Sequence, residues 1–225
     1  MESTPNPIKV DIWSDVACPW CFIGKRRFEE GTRRFTAATG RPVAVEYHSF
    51  ELAPDTPVDF DGSESDFLAR HKGLPAERVT AMLAQVTEIA ASVGLAYDFD
   101  SVRHTNTRLA HQALHFAKRH DRQAEFKERL LSAYFVEGQH VGRVAELAEL
   151  GAETGLDPRE LTEALTDGRH KSDVDDDIRQ AHAYGITGVP FFVIDGTYGV
   201  SGAQEPDVFE AALRQAHDAT DEAAA

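Results

Sequence analysis

Residues 14–30 read SDVACPWCFIGKRRFEE, and the CPWC within them, Cys18 to Cys21, uses both cysteines of a 225-residue chain. What flanks this tetrapeptide decides the fold. Immediately before it, IKVDIWSD sets Ile8, Val10 and Ile12 on one face with the two-residue period of a strand. Immediately after it, Phe22, Ile23, Phe28 and Phe35 mark a helix from Pro19 to about Ala38. Pro19 suits the first turn of such a helix, where its missing N–H costs nothing, and Gly40 stops it. RPVAVEYHSF then reads as a second strand, with Val43, Val45 and Tyr47 on one side. The first fifty residues therefore predict β-α-β, with the cysteine pair at the strand-to-helix junction.

Two thiols at i and i+3 on a first helical turn can meet the distance limits of a disulfide. Cys18 falls at the helix N-terminus, where free N–H groups and the positive end of the dipole favour a thiolate, the nucleophilic form. Cys21 lies one turn inside, placed to resolve a mixed disulfide. Pro19 and Trp20 between them tune the pair. A zinc site is the second reading. It requires further ligands, and of the ten histidines His111 and His115 stand one helical turn apart in HQALH. They stand far from the cysteines in sequence, no second CxxC exists, and HQALH lacks a zinc-protease glutamate. A structural staple is the weakest reading, because a bridge across so short a loop constrains little.

Farther along the chain, from about 63 to 184, the pattern turns helical. PAERVTAMLAQVTEIAASVG, TNTRLAHQALHFAKRH and DRQAEFKERLLSAYF are amphipathic at helical spacing. LDPRELTEALTDG has Asp157 as N-cap, Pro158 in the first turn and Gly168 as stop. SDVDDDIRQAHAYG carries its acids in its first turn, so Asp173, Asp175, Asp176 and Asp177 read as a solvated helix start rather than a cation site. Strand character returns only at PFFVIDG and TYGVSG, joined by the hairpin signal Asp195-Gly196. EPDVFEAALRQAHD is a last helix. The order β-α-β, helical block, α-β-β-α predicts an α/β sheet domain from 1–60 and 175–217, a helical insertion from 61–174, and a frayed tail from 218–225.

The bulk numbers set limits. Lys and Arg total 23 against 38 Asp and Glu, a net charge of −15, which excludes an electrostatic nucleic-acid binder. No apolar run approaches the roughly 18–20 residues of a membrane span. MESTPNPIKV has neither the basic nor the apolar segment of a secretory signal, so the expected compartment is the cytoplasm. In a reducing compartment a lone CxxC points to catalysis or metal binding rather than to a structural bridge.

A second motif lies far from the first. In GITGVPFFVIDGTYGVSGAQ, residues 185–204, Val189-Pro190 directly precedes a strand, and an X-Pro bond is trans in about 95% of cases in folded proteins. CPWC at a β-α junction, a helical insertion, and TGVPFFVIDG followed by a hairpin and a final helix together resemble the DsbA-like branch of the thioredoxin superfamily. DVACPWCFIGKRRFE and the TGVP segment look most like the FrnE-type oxidoreductases, which are related to 2-hydroxychromene-2-carboxylate isomerases and kappa-class glutathione transferases. The resemblance spans nearly the whole chain.

What the resemblance implies is a thioredoxin fold whose cysteine pair faces a cis-proline loop. Pro190 is then the cis-proline, and the backbone of Val189 pairs with an extended substrate beside Cys18, a form of strand addition. Asn106, Thr107 and His111, in NTRLAHQAL, are implied to line the site with Pro19 and Trp20, and Gln204 to approach the cleft. On the residues alone, Thr105 or Asn106 reads as a helix cap and His111 as a surface or half-buried histidine. The resembled isomerases and kappa-class transferases carry serine where this chain has Cys18, which favours thiol–disulfide exchange. Some FrnE-type proteins have further cysteines near the C-terminus, and this chain has none. The expected activity is thiol–disulfide exchange with a thiol- or disulfide-containing protein or a small-molecule thiol, needing no metal and no cofactor beyond glutathione as a possible co-substrate. A glutathione-dependent isomerase or transferase of an aromatic small molecule is the alternative, and a non-catalytic zinc module the second alternative.

Overall fold

The computed structural model describes residues 6–224. The N-terminal residues 1–5, on which the reading of a missing signal partly rests, and Ala225 lie outside them. Strand β1 (Ile8–Ser14) leads into helix α1 (Pro19–Thr39) and back to β2 (Val43–Ser49). Because β1 and β2 are parallel, in register from Ile8 opposite Val43 to Ser14 opposite Ser49, they need a crossover element, and α1 supplies it. Gly40, at φ 71°, ends α1 in the left-handed cap conformation that glycine adopts without strain. The helices α2 (Glu64–Lys72), α3 (Ala76–Ser92), α4 (Arg108–Arg119), α5 (Gln123–Phe135), α6 (Val144–Glu153) and α7 (Pro158–Asp167) follow. Helix α8 (Lys171–Ala183), β3 (Phe191–Ile194), β4 (Tyr198–Ser201) and α9 (Pro206–Ala224) complete the chain.

The sheet order is β2-β1-β3-β4, with β3 antiparallel to both β1 and β4. Asp195 and Gly196 both have positive φ, 51° and 66°, the two-residue hairpin geometry that the Asp-Gly pair predicts. The fold is a thioredoxin-type α/β sheet with an inserted helical block. Residue 175, the expected boundary between the two, falls inside α8. The last helix runs to Ala224, so residues 218–224 continue α9 instead of fraying from 218. The tail is rich in alanine, which favours helix, and the Thr220 hydroxyl donates to Ala216 O at 2.8 Å.

Alternation along β1 sends Ile8, Val10 and Ile12 to one face, where Phe28 and Phe35 of α1 and Phe209 and Leu213 of α9 meet them. Gly31 makes this packing possible, since a Cβ there would stand 2.7 Å from Pro206 O. The opposite side of α1 presents Phe22 and Ile23 to a separate core, built mainly from α3 to α7. One helix thus walls both cores. No helix among the described residues is long and apolar enough to cross a membrane.

On the sheet's other face Trp13 stacks on His48 with centroids 4.5 Å apart, and its Nε1–H donates to the Asp177 carbonyl at 3.0 Å. Asp177 is therefore not solvated, as its place in a run of acids suggests. Its carboxylate is buried, accepts from Ser49 N at 2.7 Å, and lies 2.8 Å from His48 Nδ1 and 3.0 Å from His115 Nε2. Burial alone raises its pKa, but bonds from His115 and His48 outweigh that and hold it well below the usual carboxylate range. Burial likewise lowers His48, yet its bonds to Asp11 and Asp177 prevail and lift it to about 9. The group's ordinary value is 6.5, so the folded state binds the proton more tightly than the unfolded one. Stability from protonated His48 is complete below about pH 6.5 and is lost as pH rises through about 9. Urea-unfolding midpoints on either side of this window should fall with rising pH in the wild type, and His48→Gln should flatten that slope.

Candidate active site

Cys18 is the N-cap of α1, in extended conformation at φ −94° and ψ 112°, with Pro19 at the first helical position. Backbone bonds from Cys18 N to Asp15 O (3.4 Å) and from Cys21 N to Cys18 O (3.0 Å) close the turn. Both cysteines are free and each is 3% exposed. The Cys18 thiol donates to the Val189 carbonyl at 3.5 Å, and the Val189-Pro190 peptide bond is cis. The trans form, favoured by Val-Pro taken alone, is thus replaced by the form the resemblance implies. Tertiary contact explains the close fit: Gly24 on α1 abuts the proline ring, and a Cβ there would come within 2.9 Å of Pro190 Cγ. A glycine costs about 1 kcal/mol in a helix interior, and this approach is what it makes possible.

The helical block holds the tetrapeptide from the other side. Tyr97 O–H donates to Pro19 O at 2.7 Å while its ring stacks on Phe22 and Phe135. Trp20, 38% exposed, forms the rim. Behind the pair lies Asp15, 2% exposed, which accepts from Leu52 N at 2.8 Å and from His111 Nε2 at 3.2 Å. Burial works against ionisation of Asp15, but the His111 bond and charge, with Leu52 N and the Thr107 side chain, keep its pKa below the ordinary value.

The charges around the two thiols differ. Cys18 is pushed well above the ordinary thiol range by its hydrogen bond to Cys21, then by burial and by the negative charges of Cys21 and Asp15. For Cys21, burial acts upward, but the bond from Cys18 and the charge of Lys127 outweigh it and the net direction is downward. The two thiols share their protons and titrate as a pair. The helix N-terminus favours a thiolate at Cys18. A buried carboxylate on the Cys18 side and a buried lysine on the Cys21 side act in the opposite sense. Lys127 is fully enclosed, its Nζ has no hydrogen-bond partner among the described residues, and burial pulls its pKa down against the neighbouring negative charges.

Cys18, Pro19, Trp20 and Thr107 wall a cavity of about 370 Å³ between the sheet domain and the helical block. Val189 and Pro190 stand at Cys18 but outside that wall, and His111 reaches the site through Asp15. Two expected residues do not join it. Asn106 turns to the backbone, its Oδ1 accepting from Arg108 N at 2.9 Å and its Nδ2 donating to Pro54 O at 2.8 Å. This is the cap-like role its residue type predicts. Gln204 is exposed and donates to Ser201 O at 2.8 Å. The zinc ligands do not assemble either: His111 faces Asp15 and His115 faces Asp177. Among the described residues, the side chains able to converge on a cation are Asp11, Glu46 and His48, away from both cysteines.

Sequence inspection passes over Asp15, Gly24, Tyr97 and Lys127. Lys127 does leave a trace, because with Leu130, Leu131 and Tyr134 it falls at i, i+3, i+4 and i+7, on the apolar face of α5. Gly24 leaves one as a glycine inside an otherwise strong helix. Asp15 and Tyr97 leave none.

A thioredoxin-type sheet carrying a CxxC at the N-terminus of α1 against a cis X-Pro loop defines the dithiol proteins of the thioredoxin class. The DSBA-like thioredoxin domain model matches residues 9–214, and the chain belongs to that family. It is similar to the uncharacterized protein YwbO of Bacillus subtilis (strain 168), 34% identical over 212 residues that cover 92% of this chain and 96% of that one. Among solved structures it is similar to a probable DsbA oxidoreductase, SCO1869, from Streptomyces coelicolor. That match has a TM-score of 0.87 and 38% identity, over 94% of this chain and 90% of the other. A 2-hydroxychromene-2-carboxylate isomerase shares the fold at a TM-score of 0.68 and 17% identity, over 95% and 98% of the two chains.

Two substitutions probe the geometry. Gly24→Ala should lower stability by up to about 2 kcal/mol in urea unfolding, because crowding of Pro190 outweighs the gain in helix propensity. Lys127→Met should raise the pKa of the first thiol to ionise, read from thiolate absorbance in the reduced protein. An unmoved titration would show that Lys127 does not act on the pair.

Proposed function

We propose that the protein is a thiol–disulfide oxidoreductase in which Cys18 exchanges with substrate and Cys21 resolves the mixed disulfide. One observation carries the assignment of roles: Cys18 lines the cavity and Cys21 does not, although the two free thiols are hydrogen-bonded to each other. In the reductive direction Cys18 attacks one sulfur of a substrate disulfide while its proton passes to the Cys21 thiolate. The substrate S–S bond breaks and one thiolate leaves. Cys21, giving up that proton, then attacks Cys18, forms the Cys18–Cys21 disulfide and releases the second thiol. Two electrons pass from the protein to the substrate, and the oxidative direction reverses each step. Val189 O beside Cys18 supports docking of an extended segment, with Pro190 and Trp20 shaping its approach.

The family and the likeness to a probable DsbA oxidoreductase support this chemistry. The substrate is a thiol- or disulfide-containing protein or a small thiol, and the compartment we propose is the cytoplasm, where a CxxC cycles instead of persisting as a bridge. A second reading has one observation in its favour. The walls of the cavity beside Cys18 are mostly apolar, which suits a glutathione-dependent isomerase or transferase acting on an aromatic small molecule.

The wild-type protein should reduce insulin or refold a scrambled disulfide substrate, and Cys18→Ser should abolish either activity. Cys21→Ala should instead stop at a mixed disulfide on Cys18, visible as a mass adduct. A wild type inert toward protein and small disulfides across a range of redox buffers would rule out the oxidoreductase reading.

A further inference from the structure

The cavity beside Cys18 has an acidic group set into its helical wall. Glu64, the first residue of α2, is 5% exposed, and its Oε2 lies 2.7 Å from His104 Nδ1 and 3.5 Å from the Tyr134 hydroxyl. His104 is equally buried, stacks on Phe67, and its Nε2 has no hydrogen-bond partner among the described residues. Glu64 and His104 both line the cavity that Cys18 lines, although His104 also borders a second cavity on the Arg143 side. Both bonds to Glu64 fall on Oε2. No bond to Oε1 is seen among the described residues, and Glu64 is part of the cavity wall.

A carboxylate set among Leu68, Met82, Leu83 and Val86 loses hydration that one imidazole and one hydroxyl only partly replace. A ligand that brings a cationic donor to the Glu64 carboxylate completes the set. About 370 Å³ lies at the small end of the ~300–1,000 Å³ typical of small-molecule sites. We infer that the Cys18 cavity takes a low-molecular-weight disulfide with a short apolar body and an ammonium group, which the Glu64–His104 pair selects.

This inference rests on the oxidoreductase reading and names its substrate class. The reaction is the exchange given above, with two aminothiols as products and the Cys18–Cys21 disulfide as the oxidised protein.

The test is a single turnover of fully reduced protein, which needs no added reductant. Cystamine, 2-hydroxyethyl disulfide and dithiodiglycolate supply an ammonium, a hydroxyl and a carboxylate on similar bodies. Oxidation of the protein is followed by acid quench and mass spectrometry. Cystamine should react at least about tenfold faster than dithiodiglycolate, with the hydroxyethyl compound between them. The net charge of −15 also favours cations, so Glu64→Gln decides the source of any preference. The cystamine-to-dithiodiglycolate ratio should collapse to within about threefold in that variant. A ratio unchanged in Glu64→Gln assigns selectivity to the surface charge and overturns the inference. So does a wild type that shows no discrimination or prefers the carboxylate, a measurement that requires no variant to fold. Turnover of insulin with none of the three compounds overturns the inference and leaves the oxidoreductase reading standing. Inertness toward insulin and all three removes both.

Discussion

Helix α1 is packed on two sides, and most of the structure answers to that constraint. Phe28 and Phe35 fill the core beneath the sheet, while Phe22 and Ile23 enter the core of the helical block. A helix gripped along both faces cannot tilt without opening one of two cores, so its N-terminus is a fixed point. CPWC occupies that point. Gly24 and Gly31 let Pro190 and α9 approach where any side chain would hold them off. The distance from Cys18 to Val189 is therefore set by apolar packing in two places rather than by the loop that carries Val189.

Around this fixed point the electrostatics are divided. Buried Asp15 faces Cys18 from the end of β1, and buried Lys127 reaches Cys21 from α5 of the inserted block. Each charge is costly to enclose, and each biases the shared proton in the same sense. The insertion thus does more than cover the sheet domain. It contributes the cation on the resolving side, the Tyr97 hydroxyl that holds Pro19, and the far wall of the cavity. A similar division of labour holds α8 to the opposite face, where Asp177, which reads as solvated in the sequence, makes a buried charged contact with His48.

Where the sequence was legible, the reason is short range. Period-two alternation in β1, capping by Asp157 and Gly168, the Asp195-Gly196 hairpin and the CPWC junction are local rules acting over a few residues, and the structure obeys them. Asn106 likewise behaves as its residue type predicts. The misreadings involve partners distant in the chain. Asp177 read as solvated because nothing near it in sequence announces Ser49, His48 or His115. The downward shift of Cys21 comes from its bond to Cys18 and from Lys127, a lysine more than a hundred residues away that helix-terminus reasoning does not see.

The sequence by itself determined the order of elements, the placement of a lone cysteine pair on a helix start, and, through its second motif, the family. These follow from hydrophobic period, turn chemistry and residue identity, which survive without coordinates. Only the tertiary structure decided which charges face each thiol, which bond precedes Pro190, and what lines the space in front of Cys18. Each depends on charges and volumes brought together from separate segments. Coulomb interactions and steric contact act through distance in space, and distance along the chain does not fix it.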